Sequence, residues 1–219
     1  MMPAHSSFPS LYPILDSSYL AGAADRAGTL QQIIRDLASA GVEILQYRNK
    51  SEDEFQILAD ARALREAAAG TGLLLIINDY PAVAVQAGFD GVHVGQTDMP
   101  PDEARRILGP GKILGVSTHN EAQLRAADSQ PVDYVAIGPV YPTATKQNPD
   151  PVIGLEGVQR AHQLTRKPLV AIGGITAANA PAVLRAGADS VAIISAIFKP
   201  EADIVARAKE FLRPGPRHP

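Results

Sequence analysis

The sequence predicts one α/β domain folded as a (β/α)8 barrel of the TIM type, and three observations support this. Short β-branched runs alternate along the 219 residues with longer amphipathic segments, as strands and helices do around a parallel sheet. Eight such runs can be counted, and their starts are 18 to 35 residues apart. The G-x-G-x-x-G fingerprint of a doubly wound open sheet does not follow the first run. The open sheet is therefore the less favoured alternative.

The predicted strands follow one another at regular intervals. They cover residues 11–16, 42–49, 73–78, 91–94, 112–117, 133–138, 168–173 and 189–195. Amphipathic segments at 29–40 and 51–69 are predicted helices, and Ser51 and Glu54 in the second have the spacing of a capping box. The pattern Ala-Gly-x-acidic recurs at 40–43, 87–90 and 186–189. It predicts that a helix ends at the glycine, just before the next strand.

Three regions follow from this pattern. Residues 1–10 are expected to form a flexible N-terminal segment, residues 11–212 the barrel, and the proline-rich residues 213–219 a flexible tail. Residues 139–151 form a long polar connection after the sixth strand, which is typical of a binding loop.

Composition limits the partners and the chemistry. With 20 Lys+Arg against 23 Asp+Glu the net charge is -3, which offers no general attraction for nucleic acid or anionic lipid. No apolar run approaches a membrane span and no signal peptide precedes the first strand, so a cytoplasmic location is expected. The absence of cysteine excludes disulfides, zinc-thiolate sites, iron-sulfur clusters and a thiol nucleophile. Hard cations such as Mg²⁺ are the leading metal candidates.

Cationic and amide side chains gather at the end of the second predicted strand, where a barrel places its chemistry. Period-2 alternation puts Gln46, Arg48 and Lys50 on one face, with Leu45 and Tyr47 on the other. Two cations and an amide are therefore predicted at the barrel mouth. The alternative is that Arg48 pairs with a neighbouring carboxylate and Lys50 only begins the loop.

Two carboxylates follow neighbouring strands, the third and the fourth. Asp79 and Asp98 have the oxygen ligands that Mg²⁺ prefers, and it commonly takes one or two carboxylates and completes its shell with water and phosphate. Each also stands before a proline that opens a helix, so either carboxylate is alternatively a helix cap. Considered together, they favour a metal site.

The later strands end in small and hydroxyl residues. Ser117 is predicted to bind phosphate or cap a helix, because His119 replaces the second glycine of a G-x-S-x-G elbow. Neither His119 nor His93 is assigned a role. Gly174 follows strand seven and Ser195 ends strand eight, and the loops after these strands often bind phosphate through backbone N-H groups in such barrels. A tight turn that needs glycine for packing is the alternative.

These motifs, in register, resemble those of the thiamine-phosphate synthase family. They are QYRNK at 46–50, ND at 78–79, GVHVGQTD at 91–98, GVSTH at 115–119, GPVYPTATK at 138–146 and AIGGIT at 171–176. The resemblance implies a TIM barrel that uses Mg²⁺. It also implies the reaction, in which 4-amino-2-methyl-5-hydroxymethylpyrimidine diphosphate and 4-methyl-5-(2-phosphooxyethyl)thiazole give thiamine phosphate and diphosphate.

The resemblance also implies a set of site residues. The pyrimidine diphosphate would contact Gln46, Tyr47, Arg48, Asn49, Lys50, Asn78, Ser117 and Lys146, of which Arg48, Lys50 and Lys146 would be catalytic. The thiazole phosphate would contact Thr143, Ala144, Thr145, Gly174, Ile194 and Ser195, and Asp79 and Asp98 would bind the metal. The alternatives are a thiazole tautomerase-like isomerase and a non-catalytic regulator that binds a phosphate ligand on the same barrel. The expected partners are the two small-molecule substrates, and a homo-oligomer is compatible with the sequence.

Overall fold

The computed structural model describes residues 8–51, 53–143, 150–199 and 203–212, and every structural statement below concerns these residues. Eight parallel strands pair in chain order, and the eighth pairs with the first to close the barrel. The predicted (β/α)8 barrel is confirmed. None of the described helices is long and apolar enough to cross a membrane.

Each strand is followed by a helix in the outer layer. The strands are β1 Leu11–Asp16, β2 Ile44–Arg48, β3 Leu74–Asn78, β4 Gly91–Val94, β5 Ile113–Thr118, β6 Tyr134–Ile137, β7 Leu169–Ile172 and β8 Ser190–Ile193. The helices are α1 Arg26–Ala40, α2 Glu54–Ala67, α3 Pro81–Gln86, α4 Pro101–Leu108, α5 Glu121–Asp128, α6 Gly154–Leu164, α7 Ala180–Arg185 and α8 Ile204–Leu212, with a short 3-10 helix at Ser17–Leu20.

The start of α2 differs from the prediction. Asp53 caps the helix, and its side chain accepts a hydrogen bond from the N-H of Gln56 at 3.1 Å. Ser51 instead accepts from the N-H of Asp53, at 3.4 Å. The predicted capping box is therefore wrong, because a second acceptor two residues later lies directly before the first helical turn.

Alternation along the strands divides the apolar residues into two clusters. One face of each strand packs against the helices and forms the larger cluster, which includes Leu15, Leu45 and Leu75. The other face fills the barrel with a smaller cluster built around Tyr12 and Tyr134 and aliphatic neighbours. This packing explains why the strand residues are almost all buried, as expected for a parallel sheet covered on its outer face.

Phe8 and Pro9, the first of the described residues, pack against the barrel. Phe8 and Pro9 are buried. The Phe8 ring contacts Tyr12 at a centroid distance of 6.1 Å and Tyr134 at 5.1 Å. Phe8 therefore contributes to the interior of the barrel although β1 begins at Leu11, and residues 1–7 and 213–219 lie outside the described residues.

Acidic residues before β4, β6 and β8 each tie their strand to the preceding one. In each pair the backbone N-H donates to a carbonyl of the preceding strand, and the carboxylate accepts the N-H of the same residue at 2.8 Å. The pairs are Asp90 with Leu75, Asp133 with Leu114, and Asp189 with Leu169. Asp90 and Asp189 are the acidic residues of two of the three Ala-Gly-x-acidic repeats, so these bonds give that position a role at the N-terminal ends of β4 and β8.

Candidate active site

A cavity of about 540 Å³ opens at the C-terminal ends of the strands. All eight strands contribute to its wall, and its volume lies in the range of small-molecule sites. Most of the site residues proposed from the sequence line it. They are Gln46, Arg48, Lys50, Asn78, Asp79, Asp98, Ser117, Thr143, Gly174, Ile194 and Ser195. Ala144, Thr145 and Lys146 lie outside the described residues.

Tyr47 and Asn49 lie behind β2 and not on the cavity wall. The Tyr47 hydroxyl donates to the Asp60 carboxylate, which also pairs with Arg26 at 2.7 Å. Asn49 donates to the Tyr47 hydroxyl at 3.2 Å. The prediction that these two side chains contact the substrate is not supported by this geometry. The reason is the strand alternation, which turns Tyr47 toward the helices and leaves Gln46 and Arg48 facing inward.

The two cations of β2 and its loop lie in the cavity with carboxylate partners. Arg48 pairs with Asp16, which also accepts from the Ser18 N-H at 3.0 Å. Partial burial alone would raise the pKa of Asp16, but the Ser18 hydrogen bonds and the Arg48 charge lower it. Asp16 was not among the site residues predicted from the sequence. The inference that Arg48 faces the cavity and the alternative that it pairs with a carboxylate are therefore compatible.

Lys50 lies between the two candidate metal ligands. Its ammonium group pairs with Asp79 and lies 4.0 Å from an Asp98 oxygen. Each carboxylate also changes the pKa of the other. Among the described residues, one lysine charge thus faces two carboxylates.

Neither carboxylate caps a helix. Tyr80 is the N-cap of α3 and Pro100 that of α4, and neither cap has a side-chain hydrogen bond. Asp79 has a positive φ of 68°, while Asp98 accepts the N-H of Gly95 at 2.8 Å. The cap alternative is wrong for both residues. Both residues line the cavity instead.

The carboxylate pair has unusual proton affinity. Burial, together with the Asp98 hydrogen bond, raises the pKa of Asp79 to about 6 despite the nearby Lys50. For Asp98 burial alone would raise the pKa, but hydrogen bonds from Asp79 and the Gly95 N-H and the Lys50 charge lower it. A carboxylate pair in which one member has a raised pKa also suits a divalent cation, which would compete with the proton.

The donor set fits Mg²⁺ in particular. Within the described ranges no group of three or more His, Cys, Asp or Glu side chains is placed to hold a metal. Zinc sites of the usual kind need three or four such ligands, whereas Mg²⁺ uses one or two carboxylates with water and substrate phosphates. Asp79 and Asp98 are the residues that would hold it.

Asn78 offers a hydrogen-bond donor for which the described residues provide no acceptor. Its side chain is 8% exposed, and its Nδ2 atom has no hydrogen-bond partner in the described part of the chain. A buried unpaired amide costs about 1 to 3 kcal/mol. Since Asn78 lines the cavity, a ligand acceptor would remove that cost.

The opposite side of the cavity carries backbone donors. Among the described residues, the N-H groups of Gly174 and Ser195 donate to no protein acceptor, and both residues line the cavity. Gly174 has a φ of 65°, and a Cβ added to it would lie 2.5 Å from the Pro142 carbonyl oxygen. The glycine therefore serves close packing, as in the alternative proposed from the sequence, at a place where an anion can also approach the backbone.

Ser117 belongs to a hydrogen-bonded cavity floor that the sequence did not reveal. Asn120 is the N-cap of α5, so Ser117 is not a helix cap. Its hydroxyl contacts Nε2 of His93 at 2.8 Å, and Nδ1 of His93 contacts the Tyr134 hydroxyl at 2.8 Å. Tyr134 in turn contacts Tyr12. Alternation within β1 and β6 was the available signal for the two tyrosines, since it places them inside the barrel.

Comparison with known proteins identifies the family. The family model described as thiamine monophosphate synthase matches residues 11–197. The chain belongs to the thiamine monophosphate synthase family. The matched range includes every site residue named above and ends before the C-terminal helix.

Individual members of the thiamine monophosphate synthase family match over most of the chain. A thiamine-phosphate synthase of Koribacter versatilis is 45% identical over 212 residues, which cover 97% of this chain and 98% of that protein. One from Agrobacterium fabrum is 43% identical over 83% of this chain and 84% of its own. The solved thiamine phosphate pyrophosphorylase of Pyrococcus furiosus is 30% identical with a TM-score of 0.80, over 93% of both chains.

The barrel itself is shared more widely than the family. A tryptophan synthase α-subunit from Pyrococcus furiosus has a TM-score of 0.71 over 93% of this chain and 97% of its own, at 17% identity. At that identity the likeness extends to the fold alone. The cavity residues, and not the barrel fold, therefore distinguish this thiamine monophosphate synthase family member.

Proposed function

We propose that this protein is a thiamine-phosphate synthase, a transferase that joins the pyrimidine diphosphate to the thiazole phosphate and releases diphosphate. One observation carries the proposal: the cavity has Arg48, Lys50 and the Asp79-Asp98 pair on one side and, on another, the backbone N-H groups of Gly174 and Ser195, which have no acceptor among the described residues. Two anionic groups can bind there at once. The names of the relatives support the same reaction.

The diphosphate belongs on the cationic side. Arg48 and Lys50 already lie in the cavity and can exchange their carboxylate partners for diphosphate oxygens. Charge grows on the diphosphate as its bond to the pyrimidine methylene breaks, and fixed cations stabilise that charge. Bound Mg²⁺ would supply further charge neutralisation at Asp79 and Asp98.

The thiazole phosphate belongs near Gly174 and Ser195. Binding there would hold the thiazole ring in the same cavity as the pyrimidine, so its nitrogen can attack the methylene that loses diphosphate. Ile14, Val170 and Ile172 give part of the wall an apolar surface. We expect that surface to limit the access of water, which would otherwise capture the pyrimidine cation as the alcohol.

An isomerase is the less favoured function. Isomerisation of a thiazole phosphate would need neither the Asp79-Asp98 pair nor the two cations beside it, and all four are present in the cavity. A non-catalytic regulator also gives no reason for two partly buried carboxylates of which one, Asp79, has a raised pKa. The transferase accounts for both sides of the cavity.

Several parts of the proposal stay predictions. The contacts of Lys146 with diphosphate and of Thr143, Ala144 and Thr145 with the thiazole phosphate depend on the resemblance. So do the use of Mg²⁺, a cytoplasmic location and any homo-oligomer. Lys146→Ala tests the first of these, with slower coupling and a larger share of pyrimidine alcohol as the expected result.

The direct test is a reconstituted reaction. Purified protein is incubated with both substrates and Mg²⁺, and thiamine phosphate and diphosphate are quantified by mass spectrometry and a phosphate assay. The proposal expects equal amounts of the two products, and no thiamine phosphate when either substrate is omitted or Mg²⁺ is chelated. Absence of thiamine phosphate from the complete mixture of a folded protein would contradict the proposed function.

A further inference from the structure

Five polar side chains form an unbroken hydrogen-bond chain across the barrel interior. Nε2 of Gln46 contacts the Tyr12 hydroxyl at 3.2 Å, and the Tyr12 and Tyr134 hydroxyls are 2.9 Å apart. Tyr134 and Ser117 then contact the two nitrogens of His93, each at 2.8 Å. Gln46 and Ser117, the two ends of this chain, both line the cavity.

The interior is shaped to hold this chain in place. The Tyr134 ring stacks on His93 at 5.5 Å and rests on Phe8 at 5.1 Å. It crosses the barrel beside Gly115, where an added Cβ would lie 2.0 Å from the ring. Tyr12, Tyr134 and His93 are 6% exposed or less, so water does not compete for their hydrogen bonds.

All the bonds of this hydrogen-bond chain have to point in the same direction along it. Each tyrosine has one hydroxyl proton and a neutral imidazole has one N-H, so every member donates to one neighbour and accepts from the other. His93 is 6% exposed and both of its ring nitrogens contact neutral hydroxyl groups, so the imidazole is neutral. If the Gln46 amide donates to Tyr12, His93 donates to Ser117 and the Ser117 proton is free for the cavity.

The opposite direction reverses both ends. With the Gln46 amide rotated, its oxygen accepts from Tyr12 and its NH₂ faces the cavity, while Ser117 donates to His93 and offers only lone pairs. The first arrangement presents an acceptor at Gln46 and a donor at Ser117. The second presents a donor at Gln46 and an acceptor at Ser117.

The geometry points to Tyr12, Tyr134 and His93 as positioning residues that couple two events. Gln46 recognises the pyrimidine amine, and Ser117 donates a hydrogen bond to the diphosphate. This inference rests on the proposed function. Gln46 is uncharged and is the inward-facing residue before Arg48 on β2, so it suits the pyrimidine ring. Ser117 is the last inward-facing residue of β5 and lies nearer the cavity mouth, where it suits the diphosphate. The pyrimidine amine needs a hydrogen-bond acceptor at Gln46, and a diphosphate oxygen needs a hydrogen-bond donor at Ser117. The first of the two arrangements provides both.

A consequence is selectivity for an amino over an oxo pyrimidine. An oxygen in place of the amine requires the Gln46 NH₂, which reverses the chain and turns the Ser117 lone pairs toward the anionic diphosphate. The mismatch then appears at both ends of the chain rather than at one. Cutting the chain anywhere between Gln46 and Ser117 should relax this selectivity.

The experiment measures the dissociation constants of the 4-amino and 4-oxo pyrimidine diphosphates by calorimetry, with Mg²⁺ and without thiazole phosphate. Tyr134→Phe removes the central hydroxyl and keeps the ring. We expect the preference for the amino compound to fall about tenfold, the value of one or two neutral hydrogen bonds. Ser117→Ala should lower the same preference although Ser117 contacts the diphosphate and not the ring.

Controls separate this inference from folding and from the function. Tyr19→Phe makes the same change at a tyrosine that packs against Phe198 outside the cavity, and it should leave the preference unaltered. If Tyr134→Phe does not fold, Tyr12→Phe cuts the chain at the neighbouring position. An unchanged preference in the folded chain variants, with a wild-type protein that makes thiamine phosphate, would overturn the coupling. Failure of the wild-type reaction would instead contradict the proposed function.

Discussion

Asp79 and Asp98, 19 positions apart in the sequence, face the same Lys50 ammonium group from the loops that follow β3 and β4. The pKa of Asp79 is raised to about 6 by burial and by Asp98, since two charged carboxylates beside one cation repel each other. Under the proposed function, Mg²⁺ is the cation that would take the place of that proton.

Removal of either carboxylate should stop the reaction without unfolding the protein. We expect Asp79→Asn and Asp98→Asn each to lower kcat/KM by at least about 100-fold, because each removes a ligand while the amide keeps the local hydrogen bonds. Steady-state kinetics and thermal unfolding measure the two effects. Asp102→Asn changes an exposed carboxylate in α4 and is the matched control. Wild-type activity of either site variant at limiting Mg²⁺ would exclude the metal assignment.

The Mg²⁺ requirement should rise in acid. Because the pKa of Asp79 is raised to about 6, a proton competes with the metal below that pH and not above it. The half-saturating Mg²⁺ concentration should stay level from pH 8 to pH 7 and increase about tenfold for each unit below pH 6. Initial rates over a grid of pH and Mg²⁺ test this. A half-saturating concentration that does not change from pH 8 to pH 5 would contradict it.

His93 should make the protein sensitive to acid. Its pKa is lowered to about 4 by burial, whereas the unfolded chain titrates near 6.5. Below pH 6.5 the unfolded state therefore binds a proton that the folded state does not, and stability falls until the pH reaches about 4. The free energy of unfolding in urea should drop by about 2 kcal/mol more from pH 8 to pH 5 in the wild type than in His93→Gln. Equal losses in the two proteins would show that His93 does not contribute.

A methyl group at position 115 should displace the Tyr134 ring. The added Cβ would lie 2.0 Å from the ring, so Gly115→Ala should destabilise the fold by about 2 kcal/mol or more. In a Tyr134→Ala background the same change should cost much less, since the space is then available. A double-mutant cycle of unfolding free energies measures the difference. If the cost is the same in both backgrounds, the strain arises elsewhere.

Local patterns were sufficient to predict the fold and much of the cavity wall. Alternation along β2 placed Gln46 and Arg48 on the inner face, and the parallel barrel then brought their strand end beside Asp79 and Asp98. The same rule set Tyr47 on the outer face, so its inclusion among the substrate contacts came from the resemblance and not from the alternation. Each of these positions depends only on where one strand begins and ends.

Long-range pairings were beyond the reach of the sequence. The Tyr12–Tyr134 hydrogen bond joins residues 122 positions apart, and Asp16 meets Arg48 only because β1 and β2 pair in one register. The positive φ of Asp79 likewise depends on the turn between β3 and α3 rather than on residue type. Such features depend on register and packing, which composition and periodicity do not specify.

Phe8 has a practical consequence for protein engineering. Its ring supports the two tyrosines whose hydroxyls lie beneath the cavity, so a residue near the start of the chain helps to hold the floor of the site. Purification tags, fusions or trimming that disturb Phe8 would therefore alter the ligand site from below. Modifications that enter before Phe8 and leave its seat in the barrel intact avoid that interference.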